Sequence, residues 1–167
     1  APGLSVNISG GVTSTVSTSV FRDNLGTGLE FVHGNNVVYV DNVDLLNNGG
    51  DGLAISTGGD VDLNLVLSQD NGVDGATLSM GGVLLATDVT LDSNAAIGLD
   101  VPGVDWGSSV SNLVIQGNDR VAYVVPNFVD PLDDPANTLV DTARGLWAYG
   151  DTLAGEAIMR RWWDHMA

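Results

Sequence analysis

Two aspartates one sequence repeat apart are the residues of this chain whose type and spacing best suit chemistry. Asp51 and Asp74 each stand directly before a glycine, and Asp70 and Asp23 fall near the same edge of the repeat. If consecutive repeats stack, neighbouring carboxylates either share a proton, which raises one pKa, or bind a hard cation such as Ca²⁺. Asp-Gly is also a common turn dipeptide. We favour the turn interpretation and keep a calcium site and a catalytic pair as alternatives.

Trp106 is the candidate for contact with a ligand. It lies in residues 104–107, which interrupt the repeat, so its ring either stacks on a sugar from an outward loop or fills the core.

The two histidines, His33 and His165, do not have the spacing of a metal-ligand pair. His33 follows an apolar segment and is predicted to be a turn residue. No cofactor other than Ca²⁺ is expected.

The charge of the chain argues against one class of partner. The formal net charge is −16, with five arginines and no lysine, so attraction to the phosphate backbone of a nucleic acid has almost no source. Nearly all of the acid is aspartate, which favours turn chemistry, although a salt-adapted acidic surface stays an alternative. Because the chain has no cysteine and no apolar run of about 20 residues, we expect neither disulfides nor a membrane span.

A repeat of 23 or 24 residues organises most of the chain. Asparagine recurs in steps of 24, 23, 23 and 24 residues, at Asn24, Asn48, Asn71, Asn94 and Asn118. Glycine follows four residues later in all but the last repeat, and two apolar positions that flank one variable residue come next. This alternation is typical of a strand with one face buried. Two further apolar segments per repeat, parted by Gly, Asn and Asp, predict three short strands in each coil of a solenoid.

Stacked coils explain why the same residue types recur at the same place. Parallel strands lie about 4.8 Å apart, so equivalent residues of successive coils form columns. The glycine column suits a turn that needs either a positive φ or a close neighbour. We predict an internal ladder of asparagines and, behind it, a core stack, formed respectively by Asn48, Asn71 and Asn94 and by Leu53, Ala76 and Leu99.

The pattern N-x-x-x-G-L-x-Φ, where Φ is apolar, resembles that of the pectate-lyase-like superfamily of right-handed parallel β-helices. Residues 48–55 carry the pattern in full, and the resemblance covers residues from about 5 to 125. It implies an all-β solenoid, a right-handed parallel β-helix of about five coils. The superfamily includes polysaccharide lyases, epimerases and hydrolases as well as inert shafts, so the resemblance specifies a fold and not a function.

The repeat ends near residue 125, where three prolines between residues 126 and 135 interrupt it. We therefore divide the chain into a β-helix at 1–125 and a proline-rich linker with a C-terminal helical segment at 126–167. The first predicted helix includes Leu139 and Trp147, and the second begins at Asp151. This segment either caps the open end of the core or docks on a partner protein or a second copy. The expected contact residues are Trp147, Ile158, Arg160, Arg161, Trp162, Trp163 and Met166.

Two functional classes stay open. The expected function is a non-catalytic structural or adhesive module of an extracellular, cell-surface or virion-associated protein, which assembles through its C-terminal helices or binds a glycan. The alternative is a carbohydrate-active enzyme, namely a polysaccharide lyase, epimerase or hydrolase of the β-helix superfamily. The resemblance implies that a uronate enzyme needs cationic side chains, yet the coil region holds only Arg22, Arg120 and His33. The two arginines are four coils apart, so we favour the non-catalytic module.

Overall fold

The chain winds into a parallel β-solenoid, and the computed structural model describes residues 1–103, 108–124, 138–140 and 147–148. One sheet contains, in order, β1 (Leu4–Ile8), β3 (Leu29–His33), β5 (Leu53–Thr57), β7 (Ala76–Met80), β9 (Ile97–Gly103), β11 (Arg120–Val124) and β13 (Trp147–Ala148). The other contains β2 (Ser14–Arg22), β4 (Val38–Leu46), β6 (Val61–Gln69), β8 (Leu84–Asp92), β10 (Ser109–Gln116) and β12 (Thr138–Val140). Because the chain alternates between the two sheets, it completes about five coils.

The strands of the second sheet from β2 to β10 are each bent near the middle. The residue at the bend has a φ between 48° and 55°, in the left-handed region that most residues avoid, at Thr18, Asn42, Leu65, Asp88 and Asn112. The pairing of β4 with β6 skips this residue, since Asp41 pairs with Asn64 and Val43 pairs with Val66. Each long strand is therefore two straight segments joined at a corner. Together with the short strand, they give the three segments per coil that the sequence predicts.

The core consists of apolar columns that run through the stack. Leu53 pairs with Ala76, and Ala76 pairs with Leu99. All three side chains are buried, so the predicted core stack is confirmed. The long strands supply a second column in the same way, at Val43, Val66 and Val89. Burial of one such aliphatic side chain contributes about 1.5–3 kcal/mol to folding, and the columns continue from coil to coil.

The asparagine column forms the predicted ladder, from Asn24 to Asn118. At each step, the backbone N–H and the side-chain amide of one asparagine both donate to Oδ1 of the asparagine one coil later, at 2.8–3.3 Å. The side-chain amides also reach main-chain carbonyls of the preceding coil, as Asn71 does at Leu45 with 3.0 Å. The four asparagines from Asn48 onward are at most 2% exposed. The ladder thus satisfies turn groups that are buried from water.

Glycine is required in its column by close approach and not by its backbone angle. A Cβ on Gly28, Gly52 or Gly75 would lie 2.7–2.8 Å from the amide nitrogen of the ladder asparagine one coil later. It would also lie 2.6–2.8 Å from the carbonyl oxygen of the next glycine in the column. None of these three glycines has a positive φ. Of the two explanations that the sequence leaves open, the close neighbour is therefore correct.

The described parts of the C-terminal region are strands. β12 pairs with β10, with Thr138 opposite Val114, and β13 pairs with β11, with Trp147 opposite Tyr123. The prediction of a first helix is therefore wrong at Leu139 and Trp147, because pairing with the edge of the preceding coil outweighs their helical spacing. The predicted second helix lies outside the described residues. Among the described residues, no helix is long and apolar enough to cross a membrane.

Candidate functional site

Asp51 and Asp74 lie one coil apart, as the repeat predicts, and each caps a turn of the following coil. Oδ1 of Asp51 accepts the backbone N–H of Asp74 at 3.2 Å, and Oδ1 of Asp74 accepts the backbone N–H of Ile97 at 2.8 Å. Each side chain therefore satisfies a backbone donor one coil later, whereas Oδ1 of a ladder asparagine accepts from the backbone one coil earlier. This geometry supports the turn interpretation of both aspartates.

Asp100 adds a third carboxylate to the same surface. It pairs in register with Thr77, whose hydroxyl donates to Oδ2 of Asp74 at 3.2 Å. Burial raises the pKa of Asp100, and the charges of Asp74 and Asp51 raise it further. Oδ1 of Asp100 is buried and has no hydrogen-bond partner within the described part of the chain. We call Asp51, Asp74, Thr77 and Asp100 the carboxylate cluster.

The carboxylate cluster favours a bound proton. Burial raises the pKa of Asp51, and the charge of Asp74 adds to this effect, while the hydrogen bond from the backbone of Asp74 opposes it. Neighbouring carboxylates repel one another when all are ionised, so the cluster is stabilised by one proton held among them. Chemically, such a group can give a proton to a ligand or exchange it for a cation.

The structure places the other two predicted calcium ligands in a different column. Asp23 and Asp70 directly precede ladder asparagines and have φ values of 57° and 55°. Oδ1 of Asp23 accepts a hydrogen bond from the amide of Asn47 at 2.7 Å. Within the described ranges, no three or more His, Cys, Asp or Glu side chains are grouped so that they could hold a metal ion. A calcium site at Asp51 and Asp74 therefore stays a prediction.

An open depression of about 320 Å³ lies on the outer side of β4, β6 and β8. Its lining residues are Tyr39, Val40, Asp41, Asp62, Asn64 and Thr87. Tyr39 is 40% exposed and pairs in register with Asp62, while the amide of Asn64 donates to Oδ1 of Asp41 at 2.6 Å. Burial raises the pKa of Asp62, and the charge of Asp41 adds to it. An exposed aromatic ring beside acidic and amide groups suits a small polar ligand with an apolar face, such as a sugar.

A buried hydrogen bond joins Ser14 to His33, with 2.7 Å between Oγ and Nε2. Nδ2 of Asn36 lies 3.1 Å from Nδ1 of His33 and also donates to the carbonyl of Gly10, so Nδ1 of the ring is an acceptor. Nε2 then carries the proton and donates to Ser14, which argues against activation of this serine as a nucleophile. His33 ends β3 with only 8% of its surface exposed. It is a core residue and not the turn residue that the sequence predicts.

Several predicted site residues lie outside the described residues. These are Trp106 together with Ile158, Arg160, Arg161, Trp162, Trp163 and Met166. Trp147 is described as the first residue of β13. The roles of all eight residues in ligand or partner contact stay predictions.

Sequence reasoning missed Asp100 and the depression around Tyr39. Asp100 was visible as a member of the outward column between the two apolar columns, together with Glu30, Ala54 and Thr77. The sequence does not show that Asp100 lies near Asp51 and Asp74, because that depends on how the column of turn aspartates sits beside this column of strand residues. Tyr39, on a different strand, gave no such signal, because its outward direction depends on where the bend at Asn42 falls.

Comparisons of the chain with protein-family models, with curated proteins and with solved structures find no match. The class of the protein therefore rests on its own geometry. It is an all-β parallel solenoid of about five coils, held by stacked apolar columns and an asparagine ladder.

Proposed function

We propose that this protein is a non-catalytic structural or adhesive module, a stiff acidic rod of an extracellular, cell-surface or virion-associated protein. The observation that supports this proposal best is the continuity of the asparagine ladder from Asn24 to Asn118. Each coil is bonded to the next through side chains, backbone and core at once. Such a stack resists bending and keeps its outer faces at fixed spacing, which suits a spacer or a display surface.

The distribution of positive charge supports a non-catalytic function. The basic side chains that the structure describes are those of Arg22 and His33. Arg22 lies 3.8 Å from the carboxylate of Asp23, and His33 is buried against Ser14. Neither makes a described contact with the carboxylate cluster or with the depression around Tyr39. An acidic polysaccharide would meet a negative surface without a cation to hold its carboxylates.

We also propose that the solenoid winds in the right-handed sense and that the chain is related to the pectate-lyase-like superfamily. The parallel strands agree with both, and crossovers between parallel strands are right-handed in about 98% of cases. The repeat N-x-x-x-G-L-x-Φ is explained by contacts within this chain, however. The asparagine builds the ladder, and the glycine has no Cβ that would collide with the amide of the next asparagine. A chain that builds such a stack needs these residues whatever its ancestry.

Attachment and ligand contact are assigned to separate regions. From the sequence, the segment from Trp147 to Met166 is the proposed docking region for a partner protein or a second copy, because its large apolar side chains need a surface to cover them. The depression around Tyr39 is the proposed contact for a glycan, since it combines an exposed ring with hydrogen-bonding groups from three successive coils. A neutral glycan fits the surrounding acidic field better than an acidic one.

A carbohydrate-active enzyme is the second candidate, and the carboxylate cluster is the observation that favours it. Asp51 and Asp100 both have a raised pKa beside Asp74. Two neighbouring carboxyl groups, one of them with a raised pKa, can act as acid and base in glycoside hydrolysis. Against this role, oxygens of Asp51 and Asp74 already accept backbone hydrogen bonds.

An activity assay separates the two candidates. The full chain is incubated with neutral and acidic polysaccharides, with and without millimolar Ca²⁺, and new reducing ends and unsaturated uronates are measured. If the protein is a non-catalytic module, we expect no product under any of these conditions. Product formation that Asp74→Asn abolishes and Asp44→Asn retains would contradict the proposed function and establish the carboxylate cluster as an active site.

A further inference from the structure

The outer face around the depression of β4, β6 and β8 is a regular array of side chains from three successive coils. Tyr39, Asp62 and Leu85 form one outward column, because Tyr39 pairs in register with Asp62 and Asp62 with Leu85. The second outward column, two residues further along each strand, consists of Asp41, Asn64 and Thr87. Neighbouring members of a column lie about 4.8 Å apart. A small ligand can therefore contact groups from several coils at once.

Asp62, in the middle of the first column, has a carboxylate without a partner. The side chains on either side of it, Tyr39 and Leu85, are largely apolar and are 40% and 42% exposed. Among the described residues, none forms a hydrogen bond or an ion pair with this carboxylate. Its pKa is raised by partial burial and then by the charge of Asp41. A cation that approaches from the solvent would stabilise the ionised group.

The other polar groups of the depression offer more acceptors than donors. The side-chain amide of Asn64 donates to Oδ1 of Asp41 at 2.6 Å, so its carbonyl oxygen is directed away from that carboxylate. Both aspartates are acceptors only when they are ionised. A ligand that complements these groups brings N–H donors together with a positive charge, as a primary ammonium group does.

The size of the depression and its exposed ring specify the rest of the ligand. A volume of about 320 Å³ is at the lower end of the range for small-molecule sites. An exposed tyrosine ring offers an apolar face to the C–H groups of a sugar. We propose that the depression binds an amino sugar, a glycan unit with a free protonated amine, whose ammonium group Asp62 holds and whose ring packs against Tyr39. Because this ligand class narrows the glycan contact proposed above, it rests on that proposed function.

The charge of the chain favours the same class of ligand. The net charge is −16, and the described basic side chains of Arg22 and His33 contact Asp23 and Ser14, respectively. Such a field concentrates cations near the surface and repels anions, while a neutral sugar gains nothing from it. A glycan with free amines is therefore expected to bind more tightly than its N-acetylated counterpart, which has the same ring without the charge.

Binding of matched oligosaccharides to the full chain tests the proposal. Tetramers of glucosamine and of N-acetylglucosamine share their ring and linkage and differ in the charged amine. Isothermal titration calorimetry at pH 6, where the free amines are largely protonated, is expected to show at least about tenfold higher affinity for the glucosamine tetramer. Equal affinities, or a preference for the acetylated tetramer, would overturn the assignment to an amino sugar and leave the glycan contact intact. If neither tetramer bound, both would be wrong.

Three variants locate the contact. Asp62→Asn keeps the size of the side chain and removes its charge, so it is expected to weaken binding of the glucosamine tetramer about tenfold and to leave the acetylated tetramer unaffected. Tyr39→Ala is expected to weaken both tetramers. Glu30→Gln also removes one charge but lies on the other sheet, and both affinities should equal those of the wild type. Circular dichroism verifies that each variant is folded. An Asp62→Asn variant that bound like Glu30→Gln would contradict the proposed contact.

A tetralysine peptide is the control for a cation without a sugar ring. It carries as many side-chain ammonium groups as the glucosamine tetramer has amines. Attraction to the acidic surface as a whole gives this peptide an affinity that Asp62→Asn should leave nearly unchanged. If Asp62→Asn weakened the peptide as much as the glucosamine tetramer, the depression would be a site for a cationic peptide and the assignment to an amino sugar would be wrong.

Discussion

The ladder asparagines make more hydrogen bonds than their number suggests, because each amide serves two neighbouring coils. Asn71 donates through its side chain to Asn94 and Leu45, while its Oδ1 accepts from both the backbone and the side chain of Asn48. An apolar residue of similar size fills the volume but leaves these groups without partners. A buried group left unpaired in this way costs more than the net gain from making the bond.

We predict that Asn71→Leu lowers the free energy of unfolding by about 1–3 kcal/mol, since the N–H and amide of Asn48 lose their acceptor. Chemical denaturation followed by circular dichroism measures the change. Asn35→Leu is the matched control, because Asn35 is exposed and outside the ladder. An equal effect of the two substitutions would show that the ladder adds nothing to stability.

The carboxylate cluster predicts a pH dependence with a definite sign. Burial and the neighbouring charges raise the folded-state pKa of Asp100, so the folded protein holds a proton that the unfolded chain has already lost. This contribution to stability is fully present below the ordinary aspartate pKa of 3.8 and is lost as the pH rises through the raised pKa. The carboxylate cluster therefore destabilises the protein at neutral pH.

Asp100→Asn removes this charge and gives a donor to the neighbouring carboxylates. We expect it to raise the free energy of unfolding at pH 7 by about 1 kcal/mol. We also expect a smaller increase in this free energy when the pH is lowered. Denaturation midpoints measured from pH 4 to pH 7 test both effects. Glu30→Gln, in the same outward column, is the control, and the dependence of its denaturation midpoint on pH should equal that of the wild type. A destabilised Asp100→Asn at pH 7 would contradict the account of this cluster.

At the scale of single elements, the short strands, the asparagine ladder and the core stack could all be predicted from the sequence. They follow from residue type at a fixed period, and each coil repeats the same contacts. The long strands could be predicted only as separate segments, because the bend at residues such as Leu65 has no common residue type. The prediction of a helix was wrong at Leu139 and Trp147. The few apolar residues there fit the period of a helix and that of a strand equally well, and these two residues form strands because they pair with the last coil.

The turn that holds Asp51 and Asp74 gives a prediction about calcium. If these aspartates bind Ca²⁺, millimolar Ca²⁺ raises the melting temperature, because a ligand of the folded state alone stabilises it. Asp74→Asn should abolish this rise, whereas Asp88→Asn, at a bend away from the site, should retain it. Scanning calorimetry with Ca²⁺ and with Mg²⁺ as a control measures the effect. An unchanged melting temperature in the wild type leaves both residues with their turn function alone.

At the scale of the whole molecule, the uneven charge distribution could not be linked to structure from the sequence alone. The lack of charged side chains in residues 1–21 is visible in the sequence, but the sheets that these residues join are not. The strand order shows that most of them belong to β1 and β2, which pair with β3 and β4. The carboxylate cluster was likewise hidden, because Asp100 is 26 residues from Asp74 in sequence and adjacent to it only through the register of β7 and β9.

A buried asparagine ladder holds the coils together as one stack, and hydrogen exchange of the asparagine side chains measures how firmly it does so. In NMR spectra of the native protein, the side-chain amides of Asn48, Asn71 and Asn94 should exchange at least about a hundredfold more slowly than that of Asn35. A hundredfold ratio corresponds to an opening free energy of about 2.7 kcal/mol. Exchange of the ladder amides as fast as that of Asn35 would contradict the account.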